Sequence, residues 1–415
     1  MPRIAYITNQ FPAPVEWYVV DEIVELRRRG VEVIPCSGRE VNPENLPPEL
    51  RAFARETQSL WPLRWDILFR SLWMCVSRIA LTRDLIRKTF AGAHESLGQR
   101  IRTLAHTLLG IYYAAILQDE RIEHIHVHHG YFASWVAMVA ARFLGITFSM
   151  TLHGSDLLVH ASHMERKLLD CKFCLTVSEF NRRHILAHYP AVDPRKIFVQ
   201  RIGVEVPRAT IETFPQSPGT AVLLSVGRLH PVKDHVFLLR ACYLLQQCGV
   251  SFRCVIVGDG PERRKLGFLI REFHIGDIVT LAGHVPHREI GDYYQAADLL
   301  VLTSRSEGIP LVLMEAMARG KIVLAPAITG IPELVIDGKT GFLYEPGSLE
   351  HFVWRATEIC GSLRALHSVS RNARAQVRMH FNRQTNLQDF ADLFLENMGL
   401  DVGSCGDENP VLQQI

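Results

Sequence analysis

Neither an excess of one charge nor a long apolar run marks this chain. Over 415 residues, 45 lysines and arginines nearly balance 43 acids, leaving a formal net charge of +2. So weak a field gives no bulk attraction to nucleic acid. No apolar run reaches the roughly 20 residues that span a bilayer, and the N-terminus lacks a signal-peptide pattern, so a cytoplasmic protein is expected. The nine cysteines are odd in number and scattered through apolar segments, which suits reduced core thiols rather than a disulfide framework. Cys171 and Cys174 form a CxxC, but no second pair accompanies it. His124, His126 and His128 alternate along an expected strand beside His129, without the carboxylate cluster a metal centre needs.

Apolar residues make up 48% of the chain and charged residues 21%, as in a globular enzyme, and 415 residues are too many for one core. Short apolar runs at 3–8, 31–35, 124–128, 147–152, 173–177 and 197–200 read as strands separated by helical patterns. The alternation repeats at 222–226, 253–257, 278–281, 299–303, 322–325 and 342–344. Strands alternating with helices give parallel sheets with right-handed crossovers, an α/β fold. Prolines and small polar residues at 206–220 read as a linker. The expected organisation is a first domain at 1–205, a second at 206–382 and a flexible tail at 400–415.

One segment stands apart. Residues 51–105 carry ten lysines and arginines against four acids, interleaved with Trp61, Trp65, Phe69, Leu72 and Trp73. Basic helices with exposed tryptophans lie on anionic lipid. The other reading is that these aromatics pack the helices onto the first domain, and the sequence leaves both open.

The chemistry concentrates beyond strand ends, where open parallel sheets hold ligands. Glu307 and Glu315 are eight positions apart across a loop-to-helix junction. Pro310 suits the first helical turn and Gly320 the stop. The helix N-terminus then faces the same crevice as the carboxylates, an arrangement for hydroxyls flanking a diphosphate. After the strand at 222–226, Gly227 permits a sharp turn, while Arg228 and Lys233 supply cations that stabilise a leaving diphosphate. Gly258 lies in a GDG turn, and Val285 follows another strand where backbone groups line a base pocket.

The ordered series GRLHPVKD, VGDGPER, LAGHVP, SEGIPLVLMEAMARG and GIPELVIDGKTGFLYEPG resembles the C-terminal half of retaining glycosyltransferases of family 4, which have the GT-B fold. The likeness is strong over 220–348 and extends more loosely through HHGYFASW, TLHGSD, TVSEFNRR and RIGVE, closest in style to colanic-acid and exopolysaccharide enzymes. It implies two Rossmann-like domains facing a central cleft, the first carrying a helical insert at 51–118, and a C-terminal helix at 383–399 that crosses back to the first domain. It implies that Glu307 contacts the donor sugar, Glu315 the ribose, and Arg228 and Lys233 the diphosphate. Gly227, Gly258, Val285, Gly308, Ile309, Pro310 and Leu311 would complete the donor site, and His153 would reach the sugar. The acceptor would lie by Asn9, Gln10, Phe11, His129 and Gly130. Where many members carry a glycine pair in the first loop, this chain has Asn9-Gln10-Phe11-Pro12.

The implied activity is retaining transfer of a sugar from a nucleotide-diphosphate sugar to a lipid-linked or polysaccharide acceptor in cell-surface polysaccharide biosynthesis. No metal and no cofactor are expected, because no DxD-like pair accompanies the diphosphate residues. The protein would be cytoplasmic, with peripheral contact to the inner membrane face through 51–105 and no nucleic-acid partner. Two alternatives are another nucleotide-sugar enzyme, such as a non-hydrolysing epimerase that needs no acceptor, and a non-catalytic binder with a degenerate site.

Overall fold

The computed structural model of the protein describes residues 1–13, 16–90, 96–159, 161–207 and 219–400. Most of the expected linker and all of the expected tail beyond 400 lie outside the described residues. The chain divides into two compact units. The first comprises Met1–Val177, Asn181–Gln200 and, among the described residues, 387–400; the second comprises Ser178–Phe180 and Arg201–Asn386. The second thus begins before the linker. Val204 N–H donates to Phe381 O, Arg383 N–H donates to Val204 O, and Val204 bridges Asn382 in parallel. A Cβ on Gly203 would lie 2.5 Å from Arg383 N, so the absence of a side chain there permits the approach.

In the first unit the strands are β1 (Arg3–Thr8), β2 (Glu32–Ser37), β3 (Gln58–Ser59), β4 (His124–His128), β5 (Thr147–Leu152), β6 (Cys174–Thr176) and β7 (Ile197–Val199). They pair in parallel in the order β3-β2-β1-β4-β5-β6-β7. Alternate residues serve opposite faces. Ile4 and Tyr6 pack with Val19, Ile23 and Leu26 of the helix Trp17–Arg28. Ala5 and Ile7 belong to the other face, under the helices Leu97–Leu117 and Phe132–Leu144. Phe390 and Phe394, on the helix Arg383–Met398, are buried in the core containing Ile4 and Tyr6. Each such phenylalanine contributes about 2–3 kcal/mol of transfer free energy.

The second unit contains β8 (Ala221–Val226), β9 (Phe252–Val257), β10 (Val279–Gly283), β11 (Leu299–Val301), β12 (Ile322–Pro326) and β13 (Phe342–Tyr344). Its order, β10-β9-β8-β11-β12-β13, is again parallel throughout. Helices cover both faces: His235–Gln247 and Leu349–Ser362 with Leu223 and Leu324, Leu311–Ala318 and His367–His380 with Leu224 and Val323. Both units are Rossmann-like, and the chain has the GT-B fold class. In each, strand order reverses beside the first strand, between β1 and β4 and between β8 and β11. Ligand crevices open at such reversals. Strand β11 ends at Val301, two residues earlier than the expected 303, although Leu302 N–H still donates to Leu324 O.

The alternating histidines of β4 are fully buried. The rings of His124 and His126 hydrogen-bond to hydroxyls of the neighbouring β5. His124 Nδ1 and Nε2 lie 2.7 Å from Thr147 Oγ1 and Ser149 Oγ, and His126 Nδ1 lies 2.7 Å from Ser149 Oγ. Burial, and then the charge of Lys172, pushes His124 down to about 3. Burial, and then the rings of His128 and His124, drives His126 well below the ordinary histidine range. The unfolded chain takes up these protons near pH 6.5, the folded one only far below it. Stability therefore falls as pH drops through that window, by about 1 kcal/mol per histidine and pH unit. Urea unfolding of the first unit, followed from about pH 7 to about pH 5, should show a loss of about 2 kcal/mol or more; a flat profile contradicts neutral burial.

Candidate functional site

In the second unit the reversal is formed by the loops after β8 and β11. Arg305 N–H donates to Val232 O at 2.8 Å, Thr303 Oγ1–H donates to Lys233 O at 2.9 Å, and Arg305 Nε pairs with Asp234 Oδ2 at 2.6 Å. These bonds stitch the loops together and set Lys233 Nζ 2.5 Å from Glu307 Oε1. Lys233 is 21% and Glu307 12% exposed, so the pair is reachable yet largely withdrawn from water. Arg228, from the same loop as Lys233, is exposed.

Gly227 N–H donates to Val257 O, tying the end of β8 to that of β9. Gly258 has φ +139°, and a Cβ there would lie 1.9 Å from Gly227 O. Its loop therefore demands glycine, a stronger constraint than the GDG pattern alone conveys. Val285, beyond β10, is half-buried against the second unit's core.

The helix after Glu307 runs Leu311–Ala318, with Pro310 capping it rather than occupying its first turn. Pro310 is buried and its carbonyl accepts from Leu313 and Met314 N–H. Leu311 and Val312 hold first-turn positions, whose N–H groups have no acceptor inside a helix. At the other end Gly320 has φ +71°, and Lys321 N–H reaches Ala316 O while Gly320 N–H reaches Met317 O, a Schellman stop. Gly308 and Ile309 lie against the next strand's loop: a Cβ on Gly330 would meet Gly308 O at 2.9 Å, and Thr329 Oγ1–H donates to Glu307 O at 2.7 Å. Glu315 Oε2 accepts from Tyr294 O–H at 2.6 Å. Burial and the Glu315 charge raise the Tyr294 phenol well above its ordinary range, so Tyr294 stays a donor. Tyr294 was not legible as a partner; it lies 21 residues before Glu315 on another helix.

In the first unit the expected residues gather at the ends of β1, β4 and β5. Buried Asp156 organises them: its carboxylate accepts from Gly130 N–H at 2.8 Å, His153 N–H at 3.1 Å and Gly154 N–H at 2.8 Å. The TLHGSD stretch contained it, but a role was read only for its histidine. His128 Nε2 lies 2.8 Å from Glu22 Oε2 and its Nδ1 lies 3.0 Å from His153 Nε2. A carboxylate only accepts, so Nε2–H donates to Glu22, and in a neutral ring Nδ1 accepts from His153. His153 is driven well below the ordinary range by burial and the neighbouring histidines, and its Nδ1 is the remaining acceptor. His129 sits at φ +69° with Nε2 3.1 Å from Glu16 Oε1. Burial opposes its charge, but the Glu16 bond and the charges of Glu16 and Asp156 outweigh that and raise it.

Asn9, Gln10 and Gly130 line a cavity of about 720 Å³ together with Arg39, Arg102 and Tyr131. Phe11 does not: its ring is buried against Phe53 in the core, and its N–H donates to Ser37 Oγ. Among the described residues, Glu22, His126 and His128 bring potential metal-ligand atoms within 4.8 Å of one another. Each histidine nitrogen of that group already faces a protein partner.

Two parallel-sheet units, the second with a cation and a carboxylate at its strand-order reversal, make up a two-unit Rossmann-like α/β class. Two family models match end to end, Glycosyltransferase Family 4 over residues 90–208 and Glycosyl transferases group 1 over residues 209–376. The chain belongs to the family 4 glycosyltransferases. It is 36% identical over 208 residues to WcaL of Salmonella typhimurium, a colanic acid biosynthesis glycosyltransferase by name, covering 48% of this chain and 51% of that protein. The chain thus spans about half the length of the first curated relatives it matches. It is 25% identical over 406 residues to the amylovoran biosynthesis glycosyltransferase AmsK of Erwinia amylovora, covering 94% of this chain and 98% of that one. The crystal structure of Anabaena HepE in complex with UDP shares the fold, with a TM-score of 0.68, 18% identity and coverage of 95% and 100%.

Asp156→Ala leaves three buried donors without their acceptor and should cost about 3 kcal/mol or more, read as a lower denaturant midpoint of the first unit. Gly258→Ala should destabilise the second unit by about 2–4 kcal/mol, since both φ and the Gly227 carbonyl oppose a side chain. A wild-type midpoint for either variant contradicts the geometry assigned to that loop.

Proposed function

We propose that this chain is a retaining, metal-independent glycosyltransferase. It moves a sugar, of hexosyl type, from a nucleotide-diphosphate sugar to a lipid-linked or saccharide acceptor in exopolysaccharide synthesis, on the cytoplasmic face of the plasma membrane. The observation that carries the reading is the Lys233–Glu307 pair at the reversal between β8 and β11, directly ahead of the helix Leu311–Ala318. There, a cation for phosphate, a carboxylate for sugar hydroxyls and first-turn N–H groups for oxyanions meet where the two loops adjoin. The names of WcaL and AmsK support polysaccharide synthesis, and the UDP of the HepE complex supports a nucleotide donor.

The roles follow the chemistry of each group. As the sugar–phosphate bond breaks, the diphosphate gains negative charge, which Arg228, Lys233 and the N–H groups of Leu311 and Val312 stabilise. Pro310 has no N–H to give and holds the chain in a cap conformation instead. Glu307 accepts from donor-sugar hydroxyls, and Glu315, held by Tyr294, accepts from the ribose. Gly227, Gly258, Val285, Gly308 and Ile309 bring backbone close to base and phosphates. His153 meets the sugar, and Asn9, Gln10, Phe11, His129 and Gly130 are the acceptor side, Phe11 through its backbone. The reaction retains configuration by front-face attack, the leaving phosphate taking the acceptor's proton. These cations do the work a diphosphate-bound metal does elsewhere, and no cofactor is required.

A panel of nucleotide sugars in EDTA should raise the melting temperature with one donor selectively, through mass action. Glu307→Ala should keep the fold and lose about a hundredfold or more in kcat, whereas Glu315→Ala should act mainly through donor KM. Transfer that survives in Glu307→Ala sinks the site assignment. Turnover of donor without any acceptor would instead support an epimerase.

A further inference from the structure

The insert helices of the first unit are apolar on both sides. On the helix Trp65–Ser77, Ile67 and Met74 are buried in the core. On the opposite side Trp65, Phe69, Leu72, Trp73 and Val76 follow the i, i+4, i+7, i+8, i+11 spacing of one stripe. They are 77%, 70%, 62%, 71% and 60% exposed. The next helix, Ile79–Phe90, repeats the pattern: Leu85 is buried while Ile79, Ile86 and Phe90 are exposed. The long helix Leu97–Leu117 adds Leu97, Ile101 and Leu108. These three helices pack on one another in one layer.

A tryptophan carries about 200 Å² of surface, so Trp65 and Trp73 alone leave roughly 300 Å² open to water. With the remaining side chains, the patch passes the several hundred Å² that an ordinary monomer leaves exposed. Its charge selects the partner. Arg64, Arg78, Arg83 and Arg87 are exposed, and Arg70 and Lys88 half-buried, in the same helices and their flanks, against the exposed acids Asp66 and Asp119 and the half-buried Asp84. A second copy would bring this same cationic surface against itself. An anionic lipid surface matches both features, apolar stripes for the acyl boundary and arginines for headgroups.

We propose that the outward face of the helices Trp65–Ser77, Ile79–Phe90 and Leu97–Leu117 docks in the plane of an anionic phospholipid bilayer. The helices lie along the surface and do not cross it; among the described residues, no helix is long and apolar enough to span a membrane. The docking face also has a consequence for the cavity. Gln99, Arg102, Thr103 and His106 line it from the side of the helix Leu97–Leu117 opposite Leu97, Ile101 and Leu108. Docking therefore holds the cavity about one helix diameter, roughly 10 Å, behind the lipid boundary. This deepens the function proposed above and rests on it only for a lipid-linked acceptor to be met there.

The test is flotation of the full chain with vesicles of phosphatidylcholine alone or mixed equally with phosphatidylglycerol. The protein should float with the mixed vesicles and little with the neutral ones. Trp65→Glu/Trp73→Glu should lower the bound fraction about tenfold. Arg83→Glu/Arg87→Glu should lower it by a similar factor and abolish the preference for anionic lipid. Melting curves check that each variant is folded; if the tryptophan variant is not, the arginine variant decides. Absence of wild-type binding, or variants that float like wild type, overturns the proposal. A wild-type dimer that the tryptophan variant dissociates, without vesicle binding, assigns the face to a second copy instead. Donor binding measured without vesicles separates the two readings: a donor shift with no flotation overturns only the docking face, and flotation with no donor shift overturns only the transferase reading.

Discussion

Everything in the second unit's candidate site depends on two loops being held at a fixed separation by parallel pairing of β8 with β11. Because both strands run the same way, both loops emerge at one end of the sheet. The Arg305–Val232 and Thr303–Lys233 bonds then lock the loops to each other rather than leaving each to its own conformations. Lys233 and Glu307 meet as a result of that backbone geometry. In a half-buried position such a pair is worth more than an exposed one, but holding two charges out of water also costs desolvation. Each member of the pair has a partner in the other, and that mutual attraction offsets part of the desolvation.

Most of the second unit was legible because its signals are local. Pro310 and Gly320 bracket a helix by restricting φ and by tolerating φ +71°, and those constraints act within a few residues. Even there the boundary moved by one position, since a proline cap and a proline in the first turn look alike in sequence. The need for Gly258 was not legible: what forbids a side chain is the carbonyl of Gly227, which reaches it through strand pairing. Tyr294 was hidden for the same reason, its partner Glu315 being fixed by the packing of one helix on another.

The first unit shows the harder case. A run of histidines looks like a metal motif when read along the chain. Their partners, Thr147, Ser149 and Glu22, become visible only once β5 is laid beside β4 and the first helix above them. Phe11 illustrates the converse, because the ring of a residue in the first loop is buried against Phe53 while its N–H donates to Ser37 Oγ. Asp156 explains why this region holds its shape at all. One carboxylate gathers the backbone ends of β4 and β5, and a fully buried carboxylate is tolerable only because three N–H groups surround it.

The two sides of the basic insert bear differently on its two readings. Ile67, Met74 and Leu85 pack the helices onto the domain. The tryptophans at 65 and 73 do not, and periodicity alone could not say which stripe of an all-round apolar helix would face inward. The deciding constraint lies in the neighbouring helices. Gly110 lets the helix Leu97–Leu117 approach so closely that a Cβ would sit 2.6 Å from Val139 Cβ. Trp135 Nε1–H donates to Thr107 Oγ1 at 2.9 Å. Those contacts fix the rotation of the long helix, and the inward residues of its two partners are those it can cover. The remaining stripes are left outside by packing geometry, and an apolar surface kept there despite its cost in water is one whose partner is something other than the protein's own core.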